Sequence, residues 1–106
     1  FPKPPKRKVH GSIIAVLNGV TQIGQYNIVV VDRGRADGLE SGHVMAIERK
    51  GEVVRDNVSP NPRDRVKLPN ERAGTLMIFR TFPRVSFGLV MRATKALHVN
   101  DRVRNP

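Results

Sequence analysis

The chain has 106 residues, 39% of them hydrophobic and 26% charged, with a formal net charge of +10. This length suits one domain with a modest core, and the composition argues against wholesale disorder. The absence of cysteine excludes disulfides, thiolate catalysis and Cys-ligated zinc. No apolar run approaches the roughly 20 residues of a membrane span, so none is expected in this chain. Because the sequence opens with Phe rather than Met, we expect a fragment of a longer protein.

The positive charge is concentrated at the two ends of the chain. Residues 1–10 carry four positive and no negative charges, and residues 80–106 carry six against one. Such a chain adheres to nucleic acid, to phosphate-bearing cell-surface polymers or to anionic lipid, and charge attraction does not choose among them. The candidate polyanion contacts are Lys3, Lys6, Arg7, Lys8, Arg80, Arg84 and Arg92. The alternative is that these charges only solvate a linker and an outer protein surface.

Residues 1–8 have the composition of a linker or tail, because three prolines extend the chain and four like charges repel one another. A polyanion-binding arm is the functional alternative. We therefore assign residues 9–106 to the folded domain. A first strand is predicted within residues 9–17, and the dipeptide Asn18-Gly19 favours a hairpin to residues 20–23, which form a short strand or an irregular loop.

The prediction of the fold is centred on residues 26–49, where two strands and a turn are indicated. Residues 28–31 are Ile-Val-Val-Val, which indicates a strand covered on both faces, and residues 44–47 form a second strand. Asp and Gly between them favour a turn, with one apolar residue tucked beneath it. The residues assigned to this structural turn are Gly34, Asp37, Gly38, Leu39 and Gly42.

Residues 55–72 contain three prolines and show no period of two or 3.6, so they are predicted to form one long loop. A loop of this length is usually functional or disordered. Val53 and Val54 could close a short strand before it. Val66 and Leu68 could pin its second half onto the domain.

Two further strands are predicted at residues 73–81 and 86–94, joined as a hairpin through residues 82–84. In the second strand Phe87, Leu89, Met91 and Ala93 alternate onto one face, with Val90 as the exception on the other. This pattern assigns Phe79 and Phe87 to the core. A turn at Asn100-Asp101 then leads into a terminal half-strand.

Short strands and frequent turns without helical periodicity predict an all-β fold. We expect a small single-domain barrel or sandwich of about six to seven short antiparallel strands with one long Pro-rich loop.

No reactive constellation is evident in the sequence. His10, His43 and His98 are far apart and lack metal-site spacing, although convergence with a carboxylate in the fold is an alternative. Ser41-Gly42-His43 lacks the strained elbow and oriented acid of a hydrolase. No catalytic residue, metal ligand or cofactor is therefore predicted, and an enzyme is the least supported class.

Three motifs stand out along the chain, D-G-L-x-x-G at residues 37–42, L-P-x-E-R-A-G at 68–74 and R-V-R-N-P at 102–106. With these motifs, nearly all of the chain after residue 8 resembles the C-terminal region of proteobacterial LysM-containing peptidoglycan-binding envelope proteins. The LysM opening Y-x-V-x-x-G-D-T-L occurs nowhere in the chain, so the glycan-binding module itself is absent from it.

The resemblance implies a protein of the periplasm or cell envelope, with a LysM module upstream of Phe1. The function expected from it is that of a non-catalytic accessory domain acting through protein or polyanion contacts. Its partners would be a cell-wall polymer, reached through the LysM module, or an envelope protein. The alternative is a basic β-barrel that binds nucleic acid, for which the sequence is short of stacking aromatics.

Overall fold

The computed structural model describes residues 2–17, 23–51, 53–55 and 65–106. These residues form strands and a single turn of 3-10 helix at Arg35–Asp37, which confirms the all-β prediction. The strands are β1 His10–Val16, β2 Ile28–Val31, β3 Val44–Arg49, β4 Val53–Arg55, β5 Arg65–Lys67, β6 Glu71–Thr81, β7 Ser86–Ala93 and β8 Arg102–Arg104.

Six of the strands close into a barrel in the order β1-β2-β7-β6-β3-β8, and every neighbouring pair is antiparallel. Strand β8 closes the ring by pairing with both β1 and β3. Strands β4 and β5 form a separate two-stranded sheet. Closure matters because it leaves no barrel strand with a free hydrogen-bonding edge.

The barrel interior is filled by aliphatic side chains, as the scarcity of aromatics predicts. Its buried cluster comprises Val9, Ile13, Ile23, Val29, Val31, Leu39, Met45, Ile47, Ala73, Leu76, Ile78, Val90, Leu97 and Val103. Burial of side chains of this size stabilises the fold by about 1.5–3 kcal/mol each in transfer free energy. The interior is therefore a packed core.

The predicted facing of β7 is wrong. Ser86, Gly88 and Val90 point inward and are buried, whereas Phe87 and Leu89 are only half-buried on the outside. Val90, the apparent exception, is a core residue. Phe79 on β6 is likewise 42% exposed rather than in the core.

The narrow interior explains this reversal. Gly88 lies opposite Ile78, and a Cβ added to it would come within 2.8 Å of Leu76 Cδ1. Only a small residue fits at position 88, opposite Ile78, since the larger inner side chains at that level are supplied by β6. The alternation holds from Ser86 to Val90, with Phe87 and Leu89 on the outside of the barrel. A bulge at Met91 then breaks it, so Ala93 packs against the core and not with Phe87 and Leu89.

The predicted long loop also needs correction. Arg65–Lys67 forms β5 and pairs with Val53–Arg55, and β6 already begins at Glu71. Val66 and Leu68 are 43% and 42% exposed, so neither is buried as an anchor. Three residues are too few for a recognisable alternation, which is why the pattern missed β5.

Some predicted features lie outside the described residues, namely Phe1, the Asn18-Gly19 turn, residues 20–22 and residues 56–64. Ile23, the first described residue after that turn, forms an isolated bridge with Leu97. Among the described residues, no helix has the length and hydropathy that a membrane crossing requires.

Candidate functional site

The basic segment at residues 3–9, here called the strap, runs along the barrel. Lys3 forms a parallel bridge with His43. Its backbone N–H donates to the carbonyl of Gly42 (3.1 Å), and its carbonyl accepts from the N–H of Val44 (2.8 Å). Pro5 and Val9 are buried. The residues treated as linker or tail in the sequence thus make specific contacts with the domain.

Asn105 holds the other half of the strap. Its side-chain amide donates to the carbonyls of Arg7 (2.9 Å) and Pro5 (3.3 Å), and its Oδ1 accepts from the N–H of Val9 (2.9 Å). One side chain therefore satisfies three backbone groups of a segment that carries no regular pairing of its own. Sequence analysis missed Asn105, because nothing local links it to residues 96 or more positions away.

The turn between β2 and β3 forms the opposite side of this region, and its predicted residues serve as expected. Asp37 Oδ2 accepts from the N–H of Gly34 (3.0 Å), and Leu39 is 1% exposed beneath the turn. Gly38 and Gly42 have φ of 95° and 91°, in the left-handed region that glycine adopts without strain. The turn is thereby held in one shape beside the strap.

A groove of about 270 Å³ lies between the strap and this turn. It is lined by Lys3, Lys6, Arg7, Gly38, Glu40 and His43. Three of the seven predicted polyanion contacts therefore converge on one depression. Lys8, their neighbour in sequence, is exposed and does not line it.

His43 is the buried member of the groove, with 3% of its surface exposed. Its Nδ1 accepts a hydrogen bond from the backbone N–H of Glu40 (3.0 Å), so the ring proton is carried by Nε2. Nε2 lies 3.9 Å from a carboxylate oxygen of Glu40, which is beyond hydrogen-bond distance. The ring thus has one satisfied nitrogen and one N–H without a hydrogen-bond partner among the described residues.

A second candidate surface lies on the outside of the barrel. Ile28, Leu89, Met77 and Val44 are successive cross-strand partners on β2, β7, β6 and β3. Leu17 extends the row beyond β1 through its N–H, which donates to the carbonyl of Ile28 (3.0 Å). The whole row is apolar, although this side of a small barrel normally carries polar residues.

A second row runs beside the first through the cross-strand partners Ala15, Val30, Phe87 and Arg80. We call the two rows, together with Phe79 and Met91, the outer apolar face. Leu17, Phe79 and Met91 are 51%, 42% and 40% exposed, while the central members are half-buried by one another. Neither row contains a carboxylate.

Three phenylalanines and an arginine end this face near the β6–β7 turn. The ring centroid of Phe87 lies 5.2 Å from that of Phe82 and 6.4 Å from that of Phe79, in edge-on and tilted arrangements. The Arg80 guanidinium lies 5.2 Å from the Phe82 ring centroid, within cation–π range. Sequence analysis assigned Phe79 and Phe87 to the core and so did not predict that they lie on the outer surface.

The predicted arginines border the outer apolar face at its two ends. Arg80 pairs with Phe87, and Arg84 is exposed in the adjoining turn. Arg92 pairs with Thr75 at the other end, where it shares a shallow depression with Arg72. The seven predicted basic contacts thus divide between the groove, the apolar face and the solvent-exposed Lys8.

Two further polar side chains serve local structure. Ser41 Oγ donates to the carbonyl of Phe79 (3.0 Å), and Asp101 Oδ2 accepts from the N–H of His98 (2.8 Å). His10 and His98 are exposed. A hydrogen bond and ion pair from Lys95 lower the pKa of Glu71. Within the described ranges, no three His, Asp or Glu side chains are grouped to hold a metal ion.

Comparison with known proteins adds no assignment to this geometry. No family model matches the chain, and no match was found among curated proteins.

Proposed function

We propose that this chain is a non-catalytic accessory domain of a LysM-type envelope protein and that it works by docking a partner protein on its outer apolar face. The observation that carries the proposal is the continuous apolar row Leu17, Ile28, Leu89, Met77 and Val44, which runs from the end of β1 across four strands on the outside of a barrel whose inside is already packed. Contiguous apolar residues on the outside of a domain are a common feature of interaction sites, and Leu17, Phe79 and Met91 are the most exposed apolar members of this face.

The borders of the face favour a partner that carries negative charge. Arg80 and Arg84 lie at one end and Arg92 at the other, and neither row contributes a carboxylate. A second copy of this chain would bring arginines to arginines, which is unfavourable. An acidic protein with exposed apolar residues would match both the row and its borders. Arg and Phe are also the residue types enriched at protein interfaces.

The envelope part of the proposal comes from the LysM-family resemblance. In that setting an upstream LysM module would bind the cell-wall polymer, and this domain would bring a second protein to it. The non-catalytic part is supported by the local roles found for Ser41 and Asp101, since both side chains hydrogen-bond to backbone groups of nearby turns and strands.

The test is site-specific photo-crosslinking in cells that produce the full-length gene product. A crosslinking residue replaces Met91 on the face or, as the matched control, exposed Arg102 on β8. We expect a discrete adduct with an acidic envelope protein from position 91 only, and its loss when Leu17→Ser and Phe79→Ser are added. Equal adducts from both positions would contradict docking on this face. Recovery of the full-length protein in the cytoplasmic fraction would contradict the envelope part of the proposal. Release of soluble fragments from purified peptidoglycan by the protein would contradict the non-catalytic part.

Nucleic-acid binding is a second candidate because one observation now favours it. Proteins bind single-stranded nucleic acid by stacking its bases on aromatic rings and contacting its phosphates with arginine. The β6–β7 hairpin offers both, in the outward Phe79, Phe82 and Phe87 and in the neighbouring Arg80 and Arg84. Their edge-on packing against one another leaves less ring surface for bases, so we rank this candidate second.

Fluorescence anisotropy with a labelled oligothymidylate and a competing heparin arm separates the candidates. If nucleic acid is the ligand, binding persists above physiological salt and weakens by about 1–3 kcal/mol with Phe87→Leu. Binding that vanishes as salt rises and is competed equally by heparin would remove this candidate.

A further inference from the structure

The groove between the strap and the β2–β3 turn combines features that do not depend on the outer apolar face. Its lining includes three cationic side chains, Lys3, Lys6 and Arg7, and one carboxylate, Glu40. The lining therefore has a formal charge of +2 when His43 is neutral. Glu40 is mostly exposed, with 76% of its side chain accessible, so its carboxylate is free to turn toward water.

His43 gives the groove an oriented donor. Its backbone is held on both sides, because its N–H donates to the Glu40 carbonyl (3.2 Å) and its carbonyl accepts from Ile78 (2.8 Å). Its ring is held by the Glu40 N–H on Nδ1, so the Nε2–H points to the side of the ring where the Glu40 carboxylate lies. Nε2 is not enclosed by the described residues, so its N–H meets water in the groove, and a ligand oxygen there would accept that hydrogen bond instead.

We infer that this groove binds a doubly charged phosphoryl group, as inorganic phosphate or as a phosphate monoester, with the His43 Nε2–H and the cations of Lys3, Lys6 and Arg7 as its donors. A phosphate monoester carries about −1.5 to −2 charges at neutral pH, which matches the lining. A single carboxylate would leave one cation uncompensated. The volume of about 270 Å³ leaves space beside the phosphoryl group for the rest of a small monoester.

The strap makes this site largely preorganised. The pairing of Lys3 with the chain at His43 and the three hydrogen bonds of Asn105 hold the backbone of the segment before any ligand binds. Binding then orders only the ends of the long side chains, so little of the interaction free energy is lost to ordering the backbone.

The test is an NMR titration at constant ionic strength, following the His43 ring signals and the Glu40 backbone amide. Inorganic phosphate and glycerol phosphate are the probes, and chloride and acetate are the reference arms. We expect saturable shifts of both groups with phosphate and only small, linear shifts with chloride and acetate. Tighter binding of glycerol phosphate would identify a monoester as the preferred source, and equal binding would identify free phosphate as sufficient. Equal linear shifts with all four anions would overturn the site.

Variants separate a built site from general attraction. Lys6→Gln should weaken phosphate binding about threefold, and Lys3→Gln with Lys6→Gln about tenfold, because each removes one exposed charge contact. Lys8→Gln is the matched control, since it removes the same charge from the same segment outside the groove. An equal loss with Lys8→Gln would overturn the site.

His43→Gln tests the oriented donor, with its amide spectrum as a check on folding. A folded His43→Gln that binds phosphate as the parent does would remove His43 from the site. If that variant fails to fold, the lysine series still decides the proposal. Because none of these changes touches the outer apolar face, failure here leaves the docking proposal unaffected.

Discussion

The strap and the β6–β7 hairpin carry similar positive charge but place it among different neighbours. In the strap, Lys3, Lys6 and Arg7 line a concave groove with a buried histidine donor. On the hairpin, Arg80, Arg84 and Arg92 border a broad apolar surface. The first arrangement suits a compact anion and the second suits an extended partner. Net charge attracts anions to both regions, whereas the surrounding side chains decide which ligand each region can hold.

The β2–β3 turn, which borders the groove, meets the hairpin at Gly34, so a large effect is expected there. A Cβ on Gly34 would lie 2.1 Å from the carbonyl oxygen of Phe82 and 2.8 Å from the backbone nitrogen of Val85. We expect Gly34→Ala to lower the free energy of unfolding by about 2–4 kcal/mol, because backbone must move to relieve the overlap. It should also perturb both the groove and the hairpin.

Urea unfolding and amide spectra measure the effect of Gly34→Ala. Gly24→Ala is the control, since its added Cβ would meet only Asn27 Oδ1 at 3.9 Å. Equal midpoints for the two variants would show that the turn and the hairpin are not in close contact.

Releasing the strap should affect the groove and leave the outer apolar face unchanged. Asn105→Ala leaves the N–H of Val9 and the carbonyls of Pro5 and Arg7 without their side-chain partner. We expect a loss of about 1–2 kcal/mol in stability and faster hydrogen exchange at Val9. Phosphate binding in the groove should weaken, while crosslinking at Met91 should not change.

The control for the strap is Asn70→Ala, which removes a hydrogen bond from the Gly51 N–H away from the groove. It should leave phosphate binding intact. A strap whose Val9 amide exchanges at the parent rate in Asn105→Ala would contradict the role given to Asn105.

The outward orientation of Phe79 on the hairpin predicts only a small loss of stability when this side chain is removed. Phe79 is 42% exposed, so Phe79→Ala should cost about 1 kcal/mol or less, whereas a buried Phe would cost about 3–5 kcal/mol. The matched inner residue is Leu76, fully buried on the same strand, where Leu→Ala should cost about 2–5 kcal/mol. Similar losses for both variants would contradict the division into inner and outer faces.

The smallest effect is the pH response of the Glu71–Lys95 pair, at the far end of β6 from the hairpin turn. A hydrogen bond from Lys95, and then its charge, lower the pKa of Glu71, with a lesser contribution from Arg49. Because the folded pKa lies below the unfolded one, this contribution is present above the unfolded pKa and is lost as pH falls through the folded pKa. Carbon NMR of Glu71 should show a depressed midpoint. Lys95→Gln should raise it more than Arg49→Gln, and a reversed order would contradict the assignment to Lys95.

The strands and the turn were accessible from sequence because their signals are local. Four consecutive apolar residues indicated β2, and Asp37 with Gly38 indicated the turn. The alternation along β7 could not show which of its residues point into the barrel, because both faces of the barrel wall carry apolar residues. The signal that could have decided it was size, since Ser86 and Gly88 are small enough for a narrow interior and Phe87 is not.

The candidate sites depended on long-range contacts that no local pattern reports. The proline and charge content of residues 1–8 is a local signal that suggested a linker or tail, whereas the contacts of Lys3 with Gly42 and Val44 join distant parts of the sequence. His43 was weighed as a metal ligand, as the neighbour of a nucleophile and as an ordinary surface or core-edge histidine. The hydrogen bond from Glu40, three residues away, is the local feature that could have marked its ring as an oriented donor.

Closure of the ring by β8 has a consequence for biosynthesis. Residues 102–104 pair with β1 and β3, so both of those strands keep an unsatisfied backbone edge until the ribosome has released this segment. A nascent domain at that stage could accept a strand from a neighbouring nascent copy, exchanging β8 between chains. Slow emergence of residues 102–104, or their truncation, should therefore favour intertwined dimers over monomers.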